Sequence, residues 1–423
     1  MPDPSEHIVI VGAGAAGLMA ARELARAGRK VTILEARQRC GGRIHPLPAS
    51  EFGYAADGGA EFVHGEAPVT RALLREAGLA LQEIEGEQWR FDGTKLTRER
   101  DDPHEAELQA KLADLKDDLT VADFLRRHFA GDDYAPLRHS IERMVEGYDA
   151  ADPERASTLA LRAEWMDGGH ASLARIEGGY GAMIDAMTAD CRRHGVAIRL
   201  GTVVSAIAEE GGAVAVRCAE GAVHACDRVI LTVPLPLLRE IALPAGARAK
   251  LAAVDDIGFG NVIKILLRFA RPWWRERKED LADMTFLLSD EAIPVWWTRH
   301  PDQHPVLTGW FGGPRTAELE SLDPQALIDA GLGSLAAIFG LSRDHIAREL
   351  VASAATNWAH DRLARGAYSW ATPRTRAAQA ILARDDGLVL FSGEALYRGR
   401  DMGTVEAALA SGQETAGTIL RGQ

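Results

Sequence analysis

The first residues able to do chemistry stand near the start of the chain. Gly12, Gly14 and Gly17 fall in the spacing GxGxxG, after the apolar run at 8–11 and before residues 18–27, which are rich in Ala, Leu, Arg and Glu. That order predicts a buried strand, a tight turn and a helix ended by Gly28. Gly12 permits the turn, Gly14 lets the backbone approach a pyrophosphate, and Gly17 lets helix and strand pack closely. The helix N-terminus, with Ala15 in its first turn, offers amide donors and a positive dipole end to phosphate. Residues 31–34 predict the next strand, and Glu35 closes it, where a carboxylate can accept hydrogen bonds from ribose hydroxyls. Three glycines alone often mark an ordinary turn. Here they sit between strand and helix with an acid after the next strand, which is the context the dinucleotide reading requires.

A second group follows at once. Gly41 and Gly42 are flanked by Arg37, Arg39 and Arg43, giving another close backbone approach and guanidinium groups suited to phosphate. Much later, Lys264 is the only charge in an apolar, strand-like run, GFGNVIKILL at 258–267. A lysine there must be paired, solvated by an internal water, or snorkelling to the surface.

These segments resemble, in order and spacing, the flavin-containing amine oxidase superfamily, which includes monoamine oxidases, polyamine oxidases, histone-demethylase-type oxidases and L-amino-acid oxidases. The resemblance runs through CGGRI at 40–44, DGGAEFVHG at 57–65, EGGYG at 177–181, 202–207, DRVILTVP at 227–234, NW at 357–358, RGAY at 365–368, SGE at 392–394 and GTVEAA at 403–408. It implies an α/β fold with a Rossmann-like FAD-binding domain assembled from 1–70, 175–258 and 384–423. A substrate-binding domain of mixed sheet and helices would come from 71–174 and 259–383, with amphipathic helices at 105–115 and 119–128.

The resemblance also distributes roles. Ala36, Arg37 and Arg43 join the FAD contacts, Gly59, Ala60, Glu61 and Phe62 pass the flavin ring, and Val204 meets adenine. Glu394 would lie at the ribityl chain, with Thr404 and Val405 at the pyrimidine end. Lys264 would be bridged by water to the flavin N5 and aid reoxidation by oxygen. Trp358 would pack against the ring and Tyr368 would form one wall of an aromatic cage. Thr404 stands where monoamine oxidases carry the second cage tyrosine. Ala367 stands where they carry the flavin-linked cysteine, so FAD is expected to be non-covalent. His64 is expected near the substrate, and Glu61 or Glu66 could pair with a distal ammonium of a di- or polyamine. L-amino-acid oxidases usually place an arginine in this loop, and residues 59–62 hold none.

Bulk properties agree with this reading. The 423 residues are 47% hydrophobic and 26% charged, an ordinary globular balance, with a formal net charge of −13. That charge argues against nucleic acid or an anionic membrane as partner. Cys40, Cys191, Cys218 and Cys226 fit no metal-binding spacing and read as reduced thiols. No apolar run has the length of a membrane span, and the start lacks the marks of a secretory signal, so a cytoplasmic location is expected. The tryptophans between 273 and 370 read as core, Trp358 excepted.

The expected reaction is oxidation of a carbon–nitrogen bond of an amine, with hydride passing to flavin N5 and oxygen reduced to peroxide. A desaturase or amino-acid oxidase on the same fold is the rival enzyme, and a flavin-binding scaffold without activity the rival of another class. The presence of Lys264 and Tyr368 counts against the desaturase, and Lys264 against the scaffold.

Overall fold

The computed structural model describes residues 6–99, 102–166, 172–277, 279–384 and 387–422. Residues 1–5, part of the start read as lacking a secretory signal, lie outside them.

The strand His7–Val11 is central in a five-stranded sheet ordered Val389–Phe391, Arg228–Leu231, His7–Val11, Lys30–Leu34, Ala197–Arg199, and every pairing is parallel. Ile8, Val9 and Ile10 have no exposed surface, because helices cover one face and a second layer covers the other. A strand buried on both faces has no polar side to alternate with, which is why the run is continuously apolar. The helices Ala15–Arg26, Gly179–Arg193 and Val405–Arg421 contribute to the first layer, whereas the antiparallel strands Val204–Glu210 and Ala213–Cys218 contribute to the second.

The other large sheet has seven strands and carries Lys264 on Val262–Phe269, between Leu350–Asn357 and Val306–Gly312. Alternation decides which way each side chain points. Ile263, Ile265, Leu267 and Phe269 belong to a core closed by the helix Pro324–Phe339. Each such burial contributes about 1.5–3 kcal/mol. Val262 and Leu266 pack on the opposite side, in clusters with Trp358 and with Phe52. Lys264 shares that second side, and so does Trp310, its direct cross-strand partner.

A third core gathers Glu105–Ala113, Val121–His128, Ala135–Gly147 and Thr158–Met166 around residues such as Phe124, Phe129 and Trp370. The helix expected at 119–128 starts at Val121, because the Thr120 side chain accepts from the Asp123 amide and caps it. The parallel sheet draws its strands from the segments read as cofactor-binding, and the seven-stranded sheet draws its strands from the other two. On that split of strands the two-domain division is proposed. Among the described residues no single helix is long and apolar enough to cross a membrane.

Candidate active site

A cavity of about 810 Å³ runs from the glycine turn to the Lys264 face of the seven-stranded sheet. Its walls include Gly12, Gly14, Ala15, Glu35, Ala36, Arg37, Gly41, Gly42, Arg43, Gly59, Ala60, Glu61, Phe62, Val204, Trp358, Glu394, Thr404 and Val405, together with His64, Lys264 and Tyr368. Gly17, Arg39 and Glu66, singled out from sequence, lie off the wall. For Gly17 the reason is packing: a Cβ there would come within 2.1 Å of the Gly12 carbonyl oxygen, so the helix could not approach the turn. Gly12 has φ +107°, a left-handed conformation that favours glycine.

The cradle has the donor chemistry a pyrophosphate needs. The helix Ala15–Arg26 has no capping side chain and no acid in its first turn. Its first amides therefore remain available at the cavity, beside Gly14, where a Cβ would meet nothing within 4 Å. Glu35 is buried; Oε2 accepts from the Ala13 amide at 2.7 Å and Oε1 from the Arg37 amide at 2.7 Å. It thus ties the turn to the loop that follows, and each oxygen keeps a second lone pair for a ribose hydroxyl. The arginines differ from the sequence reading, which gave all of them to phosphate. Arg43 donates to the Ala367 carbonyl at 2.7 Å and to Glu394 at 2.8 Å, and Arg37 pairs with Asp361 at 2.8 Å. Arg39 donates to the carbonyls of Cys40, Gly42 and Ile44, which fixes the glycine pair. Glu394 also accepts from the Ser369 hydroxyl. These contacts strap the cofactor loops to 357–369.

Lys264 is paired. Its ammonium, with no side-chain exposure, donates to the Gly59 carbonyl at 3.0 Å and to Glu61 Oε2 at 2.9 Å, and lies 5.5 Å from the Trp297 ring centre. Glu61 Oε1 also accepts from Arg175 Nε at 2.9 Å, Trp297 Nε1 lies 3.2 Å from both oxygens, and Arg299 is 3.5 Å away. Burial alone would raise the Glu61 carboxyl, but Lys264, Arg175 and Arg299 hold it down at about 2. Asp57 is pushed up to about 7 by burial, against the pull of Lys264.

This geometry corrects the suggestion that Glu61 or Glu66 pairs with a distal ammonium. Glu61 is committed to four donors, and Glu66 is exposed and off the cavity wall. Other acids on the wall include Glu146, Asp149, Glu164 and Asp401. Burial raises Asp149 to about 7, opposed by a hydrogen bond with Glu164, while burial and the Asp149 charge raise Glu164 well above the usual carboxylate range. Tyr368 packs nearly parallel to Trp310, with ring centres 6.4 Å apart and planes 20° apart, and its hydroxyl donates to the Tyr148 carbonyl at 2.6 Å. Trp310 donates to the Gly147 carbonyl at 2.6 Å. His64 Nδ1 is 2.8 Å from the Tyr148 hydroxyl. Thr404 lines the cavity, but its oxygen is occupied as helix cap, accepting from Ala407 and donating to the Asp401 carbonyl. Trp297, Trp310 and Trp370, read as core, also reach the wall. Strand alternation around Lys264 was the available signal for Trp310. Nothing in the local sequence marked Asp149 or Glu164.

None of the four cysteines lines the cavity, so a cysteinyl flavin link has no partner here. The uncapped helix, the open Gly14 and the straps around Glu394 fit FAD.

The model of the family described as flavin containing amine oxidoreductase matches residues 15–420. Among curated proteins, the chain is 26% identical to Lysine-specific histone demethylase 1 homolog 2 of Oryza sativa subsp. japonica, over 98% of this chain and 57% of that protein. It is 27% identical to Lysine-specific histone demethylase 2 of Homo sapiens, over 98% of this chain and 53% of that protein. The chain thus spans about half the length of these relatives. Among solved structures, wild-type putrescine oxidase bound to putrescine superposes with a TM-score of 0.82 at 21% identity, over 99% of both chains. Cyclohexylamine oxidase from Brevibacterium oxydans gives 0.81 at 21%, again over 99% of both. At that identity the likeness is one of fold.

Proposed function

The chain belongs to the flavin containing amine oxidoreductases, with non-covalent FAD as cofactor, and from that premise we propose that it oxidises a C–N bond of a cationic amine without a carboxylate, using oxygen as acceptor. One observation carries the reading. A single cavity joins the dinucleotide cradle to a wall where a buried ammonium, Lys264, shares the space with aromatic rings and carboxyl groups. FAD, when bound, takes the hydride from the α-carbon and supplies the electrons for oxygen.

The chain's own residues do the rest. Tyr368 and Trp310 present parallel aromatic faces that guide an alkyl ammonium by their quadrupoles. Tyr368 is fixed by its bond to Tyr148, so the wall is set before a substrate arrives. Asp149 and Glu164 favour an extended cation, a di- or polyamine, since the Coulomb term between a carboxylate and an ammonium strengthens away from bulk water. Among the wall arginines, Arg37, Arg43, Arg90 and Arg143 each pair with an acid, and Arg175 and Arg299 behind the wall are tied to Glu61, which counts against a carboxylate-gripping fork and so against amino acids. Lys264 holds its protons at the loop 59–61, where it would serve the reaction with oxygen.

The test is anaerobic reduction of the flavin, and peroxide release in air, across diamines, polyamines, aryl amines, an N-methyl-lysine peptide and L-amino acids. Diamines or polyamines should reduce the flavin fastest. Strong turnover of an L-amino acid with none of the amines active would defeat the proposal, and protein that cannot be loaded with FAD would defeat it at the root.

A further inference from the structure

We infer that Glu61 is a positioning residue for the oxygen half-reaction: it pins the Lys264 ammonium against the loop 59–61 behind the surface of the cavity wall, with one N–H of that ammonium left without a protein acceptor among the described residues. The inference rests on the reading of Lys264 as the lysine that serves flavin reoxidation.

An ammonium has three donors on a flexible four-carbon stem. Two of them are spent on Gly59 and Glu61, two residues apart on one loop. The third has no protein acceptor among the described residues, and Lys264 belongs to the cavity wall. What fixes the lysine is therefore Glu61, and Glu61 is itself fixed by Arg175, Trp297 and Arg299. Every one of these neighbours is a donor, so the position needs a group that only accepts. An amide would turn its NH2 toward one of them. The block holds three cations against one carboxylate at about 2, Asp57, and the more exposed Asp302 at its edge, 3.4 Å from Arg299. Its field is positive beside the loop that passes the flavin. In reoxidation the anionic reduced flavin gives its two electrons and N5 proton to dioxygen, and a second proton from solvent completes hydrogen peroxide. Negative charge gathers on oxygen before that proton arrives, and a fixed cation stabilises it.

The test needs no amine. Holoenzyme is photoreduced without oxygen, mixed with oxygenated buffer, and followed by flavin absorbance, while the midpoint potential is read against a redox dye. The variants are E61Q, K264M, E61Q/K264M and E61Q/R299Q, the last restoring the net charge of the block so that it stays foldable. Reoxidation should slow at least about tenfold in E61Q and remain slow in E61Q/R299Q. In the K264M background E61Q should add less than about twofold, because the residue acts through the lysine. The potential should move positive in E61Q and return toward the parent value in E61Q/R299Q. Wild-type reoxidation in E61Q/R299Q, multiplying effects of E61Q and K264M, or an unmoved potential in E61Q would each overturn the inference. A protein that oxidises no amine would overturn the proposed function and still allow this measurement.

Discussion

Glu61 and Asp149 are carboxyl groups pressed against the same cavity, and their pKa values are driven in opposite directions. Desolvation acts on both in the same direction, raising the pKa. Around Glu61 three cations outweigh it and the group stays ionised down to about pH 2. Around Asp149 the nearest partner is another acid, Glu164, and burial lifts Asp149 to about 7. Both members of the pair are raised above the usual carboxylate range, as coupled buried acids are. Neighbours, not burial, therefore decide which wall of the cavity is charged. The two walls are also built differently. Glu61 meets groups from the strands Val262–Phe269, Leu173–Ile176 and Val295–Trp297, whereas Asp149 lies in the bend after the helix Ala135–Gly147 and Glu164 in the body of the next helix.

The largest test of this contrast is stability. Glu61→Gln leaves Lys264, Arg175 and Arg299 short of their buried partner and should cost about 3–5 kcal/mol in unfolding free energy. Asp149→Asn should change stability at pH 7 by about 1 kcal/mol or less, since burial lifts the acid to about 7 and about half of it is already neutral there. Thermal or urea unfolding of both variants measures the difference, and equal costs would erase the distinction. The pH dependence has opposite signs. Glu61 has a lowered folded pKa, so its contribution is complete above about 4.5 and is lost as pH falls toward about 2. Asp149 has a raised folded pKa, so the folded state loses stability at this site as pH rises from about 4 to about 7.

How much of this was legible without coordinates follows from the range of the interactions. The turn of Gly12, Gly14 and Gly17 and the loop of Gly41 and Gly42 are local, and each glycine's task depends on neighbours a few residues away. Lys264 stood out because a charge inside a continuous apolar strand demands a partner. Its partner could not be read, because Glu61 lies 203 residues away and Arg175 another 114 from Glu61. Trp310 was hidden because tryptophan defaults to core, and only the cross-strand register with Lys264 assigns it to the cavity. Asp149 and Glu164 did not stand out, since nothing in their own segments says which residues will face an opening.

Next in size is Lys264→Met, which keeps volume and removes the charge. Flavin binding should survive, and reoxidation should slow by about 10²-fold, with the reductive half-reaction slowed less. Stopped-flow traces of the two half-reactions decide it; normal oxygen reactivity would leave the charged wall a structural feature. On the other wall, Asp149→Asn removes the titrating member of the pair. For a diamine, KM should rise about tenfold at pH 8, the worth of one charged hydrogen bond, and rise less for a monoamine. The parent KM for diamines should fall as pH increases through about 7, because the acid becomes anionic and the distal nitrogen remains cationic. That slope should flatten in the variant. A KM equally affected for mono- and diamines would detach Asp149 from the distal nitrogen.

The smallest expected effect is Tyr368→Phe, and it asks whether the aromatic wall works by its faces or by its hydroxyl. The hydroxyl donates to the Tyr148 carbonyl at 2.6 Å, and Tyr148 directly precedes Asp149. Deleting it leaves a buried carbonyl without that donor and loosens the join between aromatic and acid walls, at a cost of about 1 kcal/mol. The ring remains, so its packing on Trp310 and its attraction for a cation remain as well. Turnover of diamines and monoamines should therefore fall together and by only a few-fold, with little change in KM. Tyr368→Ala, which removes the face, should fall much further for both. If Tyr368→Phe instead raised KM for diamines alone, the hydroxyl would be acting through Asp149, and the two walls could no longer be treated as separate devices.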